Sequence, residues 1–317
     1  MEYVILIISL AGIVFGADQL VAGAVSIARR FKVSDFVIGA AIVGVGTSMP
    51  ELVVSFIGAL NGNPDVAIGN VVGSNIFNVL GILGLTALFF PIAVSKTNMK
   101  FELPVCIGVS VLLTLLVFNF FTGGAPVISR PDGIVLLLCF ALFMWYSFYR
   151  DRKAGKTAEE APSQEDKTPF WLAVVKVVGG LAVLITSCDF FVDNAVLIAK
   201  SFGVNDAFIS LTLIACGTSL PELAASVAAA LKKNTQLALG NVIGSNIFNI
   251  TWILGLSSQV MPLNSSGITA VDYCVMIAAA IIPMILGFKG KIGRMAGAFM
   301  FVCFVAYTYY LITNQIA

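Results

Sequence analysis

Residues 69–78 read G-N-V-V-G-S-N-I-F-N, and residues 240–249 read G-N-V-I-G-S-N-I-F-N. The same offset of 171 maps Asp18 onto Asp189, Glu51 onto Glu222, Asn70 onto Asn241, Asn78 onto Asn249 and Pro91 onto Pro262. Between residues 18 and 91 the copies align without a gap at about half identity. A fold built from two such copies must accommodate every motif twice, which constrains it more than any single motif does. We read residues 1–149 as the first copy, 150–169 as a connecting segment and 170–317 as the second copy.

Composition then fixes the solvent. The chain is 59% hydrophobic and 11% charged, too apolar for a water-soluble domain of 317 residues. A bilayer span needs roughly 20 apolar residues. Ten runs qualify, at about 3–27, 34–60, 66–90, 103–121, 131–149, 170–197, 207–231, 236–261, 270–288 and 292–313. The charged stretch 150–169 lacks bulky apolar residues and reads as a cytoplasmic linker. Five spans per copy is an odd number, so the second copy starts from the opposite face and runs inverted. With the N-terminus outside, the cytoplasmic connections collect Arg29, Arg30, Lys32, Lys96, Lys100, Lys232, Lys233, Lys289, Lys291, Arg294 and the linker's basic residues. The outer connections hold only Arg130 and Lys200. That asymmetry predicts both termini outside. The start, M-E-Y-V-I-L-I-I, has no basic segment, so the first span reads as retained. The expected architecture is an all-α membrane protein of ten transmembrane helices in two inverted five-helix repeats.

Two of the apolar runs carry unusual interiors: G-T-S-M-P-E at 46–51 and G-T-S-L-P-E at 217–222. Proline has no N–H and clashes with the carbonyl four residues back, so Pro50 and Pro221 are expected to release the carbonyls of Gly46 and Gly217. Broken backbone within a membrane is tolerated only where protein or a polar cavity covers it. Ser48 and Glu51, three apart, are placed on one helix face, as are Ser219 and Glu222. A carboxylate at this depth is costly without a partner, and no lysine or arginine lies nearby in the sequence. The partners left are protons, a proton shared between the two acids, or a bound cation: one Ca²⁺ or several Na⁺. The chain has no histidine, and its six cysteines form no C-x-x-C pair, which points away from zinc, copper and iron. In the second motif Ser74 and Asn78 share a face, as do Ser245 and Asn249, while Asn70, Asn75, Asn241 and Asn246 add amides. A kinked helix with neutral, hydroxyl-bonded glutamic acids is the plainer alternative, and it loses ground because the motif occurs twice. Gly69–Gly73 and Gly240–Gly244 read as helix-packing pairs. Asp18 and Asp189 read as structural groups near helix ends, Asp193 (opposite Ala22) as cavity-lining or interfacial, and Cys216 as packing.

The paired motifs resemble the two alpha-repeats of the calcium/cation antiporter superfamily, and its prokaryotic sodium/calcium exchanger branch most of all. The resemblance implies broken helices 2, 3, 7 and 8 around a central ion-binding core. It implies that Glu51 and Glu222 bind Ca²⁺, with the Thr47 and Thr218 carbonyls completing its shell. Ser48, Ser74, Ser219 and Ser245, with the carbonyls of Gly44 and Ala215, would serve flanking Na⁺ sites, and Asn78 and Asn249 would line the centre. Some archaeal members carry aspartate where this chain has Asn249. The implied activity is exchange of Na⁺ for Ca²⁺ by alternating access in a prokaryotic inner membrane. The first and sixth spans, long and in the first dotted with Gly12, Gly16 and Gly23, are expected to slide across the core as the gate. Proton/calcium and potassium-dependent exchange are the alternatives. A channel, an intramembrane enzyme and a scaffold fit less well. No cofactor, nucleic-acid partner or calcium-sensing loop is expected, and the functional unit is expected to be a monomer in the lipid bilayer.

Overall fold

The computed structural model describes residues 2–120, 126–153, 168–202, 215–265 and 267–316. The first half holds α1 (Glu2–Phe31), α2 (Asp35–Thr47), α3 (Met49–Leu60), α4 (Pro64–Phe89), α5 (Asn98–Val117) and α6 (Arg130–Lys153). The second holds α7 (Phe170–Ser201), α8 (Ala215–Gly217), α9 (Leu220–Leu231), α10 (Thr235–Val260), α11 (Ala270–Leu286) and α12 (Arg294–Ile316). Among the described residues seven helices are long and apolar enough to cross a membrane, and the bent pair α2–α3 makes an eighth. The apolar α9 and α11 are shorter. Most of the linker and the first part of the expected span 207–231 lie outside the described residues.

The second span breaks where the first motif places it. The backbone leaves helical geometry at Ser48 (φ −81°, ψ 11°), and α2 and α3 meet at a bend of 49°. Ser219 repeats the break (φ −92°, ψ 7°) ahead of α9. Pro50 and Pro221 sit in the first turn of the half-helix that follows. Their missing N–H groups therefore fall where a helix has no acceptor to offer. Spans 3 and 8 depart from expectation: α4 and α10 are continuous, not broken. Each instead widens into π turns, at Phe77–Leu83 and Asn249–Ile253. The G-S-N-I-F-N stretch has no proline to stop a helix, so the chain absorbs an extra residue per turn, a distortion common at functional sites.

These two helices are the centre of the bundle. In its most apolar window α10 is 94% buried and α4 78%, against 28% or less for α1, α6, α7 and α12. Glycine sets the close approaches. A Cβ on Gly39 would lie 2.5 Å from the Leu237 carbonyl oxygen, so α2 rests backbone-to-backbone on α10. The packing role expected of Gly240 and Gly244 holds there too, against Phe36 and Ala40.

The long helices α1 and α7 run together along a second seam. Gly12 faces Ser187, Gly16 faces Gly180 and Leu184, and Gly23 faces Ala173 and Val177. Rising numbers on one helix meet falling numbers on the other, so the first helices of the two halves are antiparallel. Two short ribbons also join the halves. β1 (Ile92–Ala93) pairs antiparallel with β4 (Lys291–Ile292), and β2 (Val127–Ile128) with β3 (Leu263–Asn264). Since α5 alone separates β1 from β2, the ribbons cap opposite ends of the bundle.

Candidate functional site

The break places Glu51 in the first turn of α3 and Glu222 in the first turn of α9, both with no solvent exposure. Their nearest donors come from the opposite half. Ser219 Oγ donates to Glu51 Oε1 at 2.8 Å, and Ser48 Oγ donates to Glu222 Oε1 at 2.7 Å. The spacing of Ser48 and Glu51 suggests one shared face, but the break turns each serine toward the other copy's carboxylate. The two acids are thereby held beside one another.

The other carboxylate oxygen of each pair, Glu51 Oε2 and Glu222 Oε2, is buried with no hydrogen-bond partner. So are Asn78 Oδ1 and Asn249 Oδ1, on α4 and α10. Their amide orientations follow from what the nitrogens do. Asn78 Nδ2 donates to Asn246 Oδ1 at 3.0 Å, and Asn249 Nδ2 donates to Asn75 Oδ1 at 3.1 Å. Asn75 and Asn246 complete the interlock by donating to each other's backbone carbonyls at 3.2 and 3.0 Å. Burying a polar atom without a partner costs on the order of 1–3 kcal/mol, so four orphan acceptors in symmetric positions are a standing demand for positive charge. Thr218 Oγ1 is a further orphan in the same region.

A second symmetric frame holds the backbone after each break. Asn70 Nδ2 donates to the Glu51 carbonyl at 3.1 Å and to Ser55 Oγ at 2.9 Å. Asn241 Nδ2 does the same to the Glu222 carbonyl at 3.0 Å and Ser226 Oγ at 2.9 Å. Of the two roles open to Asn70 and Asn241, bracing the break is the one observed. Ser55 and Ser226 join this frame unannounced by the motifs, although their equivalence under the repeat offset is visible in the sequence.

One side of the site is closed by the other half. Ser245 Oγ donates to the Gly44 carbonyl at 3.2 Å, which also accepts from the Ser48 amide at 3.1 Å and from Thr47 Oγ1 at 3.4 Å. Thr47 Oγ1 also lies 3.3 Å from Asn241 Oδ1. Ser74 is buried on α4 at the position equivalent to Ser245. Ala215 opens the short helix α8. Residues 203–214, the counterpart of most of α2, lie outside the described residues. Among the described residues no three His, Cys, Asp or Glu side chains cluster, so a cation here would be held by two carboxylates together with hydroxyl, amide and carbonyl oxygens. Oxygen-only sets of this kind suit Ca²⁺ and Na⁺ better than transition metals.

Asp18 and Asp189 lie outside the site and, contrary to expectation, well inside α1 and α7 and not near their ends. Asp18 forms an ion pair with Lys232, a residue that the sequence places in a cytoplasmic connection.

The model of the sodium/calcium exchanger protein family matches residues 1–149 and 172–313. Inner membrane protein YrbG of Escherichia coli K12 is 34% identical over 319 residues, covering 97% of this chain and 96% of its own length. Sodium/calcium exchanger MaX1 of Methanosarcina acetivorans is 32% identical over 340 residues, covering 96% and 97%. Among solved structures, that of the sodium-calcium exchanger NCX_Mj soaked with zero Na⁺ and Ca²⁺ superposes with a TM-score of 0.83 at 30% identity, covering 100% of this chain and 99% of that one.

Proposed function

The chain belongs to the sodium/calcium exchanger protein family, a family of membrane cation antiporters and not of enzymes, and on that premise we propose that it exchanges Na⁺ for Ca²⁺ by alternating access. The observation that carries this reading is the symmetric pair of buried carboxylates, each with one oxygen held by a serine of the other half and one with no donor. Two carboxylates carry −2, which one Ca²⁺ or two Na⁺ neutralise. Glu51 and Glu222, with the Thr47 and Thr218 carbonyls, form the Ca²⁺ site in this reading. Ser48, Ser74, Ser219 and Ser245, with the Gly44 and Ala215 carbonyls, serve the flanking Na⁺ sites, and Asn78 and Asn249 line the centre. The Gly44 carbonyl already accepts from the Ser48 amide and the Ser245 hydroxyl, so Na⁺ there requires the Ser245 hydroxyl hydrogen to turn away while its oxygen stays as a ligand.

The antiparallel α1–α7 seam and the two ribbons at opposite ends support ten spans in two inverted repeats, 1–149 and 170–317, joined by the linker 150–169. Inverted halves that exchange conformations give outward and inward states of similar energy. The cost of carrying an unneutralised −2 through hydrocarbon suppresses the empty crossing, which makes the cycle exchange and not leak. The basic residues of the connections support both termini outside a prokaryotic inner membrane, and the site lies within one chain, so a monomer suffices.

The test is radioactive calcium uptake into proteoliposomes under an outward Na⁺ gradient, with pH-gradient and K⁺ arms. Uptake driven by Na⁺ and lost in Glu51→Gln and Glu222→Gln is the expected result. Uptake driven only by the pH gradient, or requiring K⁺, would replace Na⁺ as the sole counter-ion.

A further inference from the structure

Lys232 Nζ lies 2.7 Å from Asp18 Oδ1 and donates to the Asp18 carbonyl at 2.8 Å. Lys232 is the residue on which α9 ends, and α9 carries Glu222 in its first turn. The contact thus ties α1 to the far end of a carboxylate-bearing half-helix. An apolar crevice of about 280 Å³ lies between α1, α7 and α9, lined by Val14, Ala17, Phe191, Leu220, Ala224 and Leu231 among others. Beside this crevice, a two-point polar contact adds to the packing that seats α1 on α9.

The repeat offset shows what happens on the other side. Asp18 maps to Asp189 on α7, but Lys232 maps to Asn61, the residue on which α3 ends. Among the described residues Asp189 has no ion pair, and α7 scarcely touches α3, whereas α1 packs along α9. The structure is therefore asymmetric at this contact. Its mirror state would seat α7 on α3 and bring a carboxylate to a neutral amide.

We propose that Asp18 and Lys232 are positioning residues for transport, a one-sided latch that favours the facing state with α1 seated on α9 over its mirror. The inference rests on the alternating-access reading above. It adds that two halves alike at the ion site are unequal at their gates, because only one of two equivalent helix ends carries a cation. An ion pair with partly exposed partners shifts an equilibrium by about two- to fivefold.

The test reads conformation and not flux. Spin labels go on Ile8→Cys and Leu231→Cys, both on exposed faces of α1 and α9, in a background without the native cysteines. Full-length protein in nanodiscs, free of Na⁺ and Ca²⁺, then gives the distance distribution between them. Lys232→Asn and Asp18→Asn are expected to lower the short-distance population relative to the longer one by about two- to fivefold. The charge swap Asp18→Lys with Lys232→Asp is expected to restore it in part, through the ion pair but not the bond to the residue 18 carbonyl, which a merely disruptive substitution would not do. Asn61→Lys is expected to lower it by strengthening the mirror state. Unchanged distributions in the neutral variants, no recovery in the swap, or no response to Asn61→Lys overturns the latch. Because no transported ion enters the readout, these outcomes are separate from the identity of the exchanged cations. A single distance in the parent and every variant would instead count against alternating states altogether.

Discussion

Replacing Glu222 by glutamine separates the carboxylate's charge from its place in the fold. The amide oxygen can still accept from Ser48 Oγ, now 2.7 Å from Oε1, so the contact between the halves survives. The buried charge falls from −2 to −1. Removing one member of a buried charge set costs about 2–5 kcal/mol of binding, and a loss near 2.7 kcal/mol weakens Ca²⁺ about 100-fold. A ligand stabilises the native state by RT ln(1 + [L]/Kd). At 100 times the parent's Kd, Ca²⁺ contributes about 2.7 kcal/mol to the parent but about 0.4 kcal/mol to the variant. Without ions the sign reverses. The parent must bury two carboxylates with orphan oxygens and the variant only one, so ion-free Glu222→Gln is expected to melt no lower than the parent. Melting of purified protein in chelator and across a Ca²⁺ titration measures both effects. A variant that melts lower when ion-free, yet keeps the full Ca²⁺-dependent rise, would show that Glu222 holds the fold and not the ion. Glu51→Gln, bonded to Ser219 at 2.8 Å, is expected to behave alike.

Adjacent glycines on α7 are expected to respond with opposite signs. A Cβ on Gly180 would lie 2.6 Å from the Leu20 amide and 2.9 Å from the Gly16 carbonyl oxygen, so Gly180→Ala should force α1 and α7 apart and lower stability by about 1–3 kcal/mol in a melting assay. Gly179 meets nothing within 4 Å among the described residues, so Gly179→Ala should gain up to about 1 kcal/mol from helix propensity. Asn75→Ala and Asn246→Ala should each cost about 1–3 kcal/mol by leaving a buried amide, that of Asn249 or Asn78, without its acceptor. Asn249 Nδ2 bonds directly to Asn75 Oδ1, so a double-mutant cycle on melting that pairs Asn75→Ala with Asn249→Ala should be strongly non-additive, and additivity would refute the interlock.

How far the sequence reveals this molecule depends on whether a feature is local. The breaks at Ser48 and Ser219 were legible because proline and glycine act on their own backbone. The widening of α4 and α10 leaves no such mark, since a π turn needs no special residue, and the break expected there follows from the resemblance alone. The site's residue types were legible because buried carboxylates and amides stand out in apolar runs. Its wiring was not. Spacing puts Ser48 near Glu51, but the serine that reaches Glu51 is Ser219, 168 residues away. Asp18 is legible as a structural polar group, but its partner is not, because Lys232 is brought to it only by the packing of α1 on α9.

That wiring bears on how an exchanger of this design couples occupancy to movement. Each carboxylate is anchored through Oε1 to a serine that caps a break in the opposite half, while Oε2 waits without a donor. In the proposed cycle a cation that takes Oε2 alone leaves the joint between the halves intact. One that chelates both oxygens competes with the serine and loosens the joint at that point. Because the arrangement is reciprocal, loading one carboxylate and not the other leaves an unneutralised charge and a half-loosened joint, a state disfavoured on both counts. One Ca²⁺ or two Na⁺ satisfy the −2. A third Na⁺ would add a net positive charge to the crossing, and voltage would then act on the Na⁺-loaded step at about 2.3 kcal/mol per 100 mV. The Ca²⁺-loaded step, electrically neutral at the site, would feel almost none of it, so the voltage dependence of each half-cycle reads out how many cations the two glutamates hold.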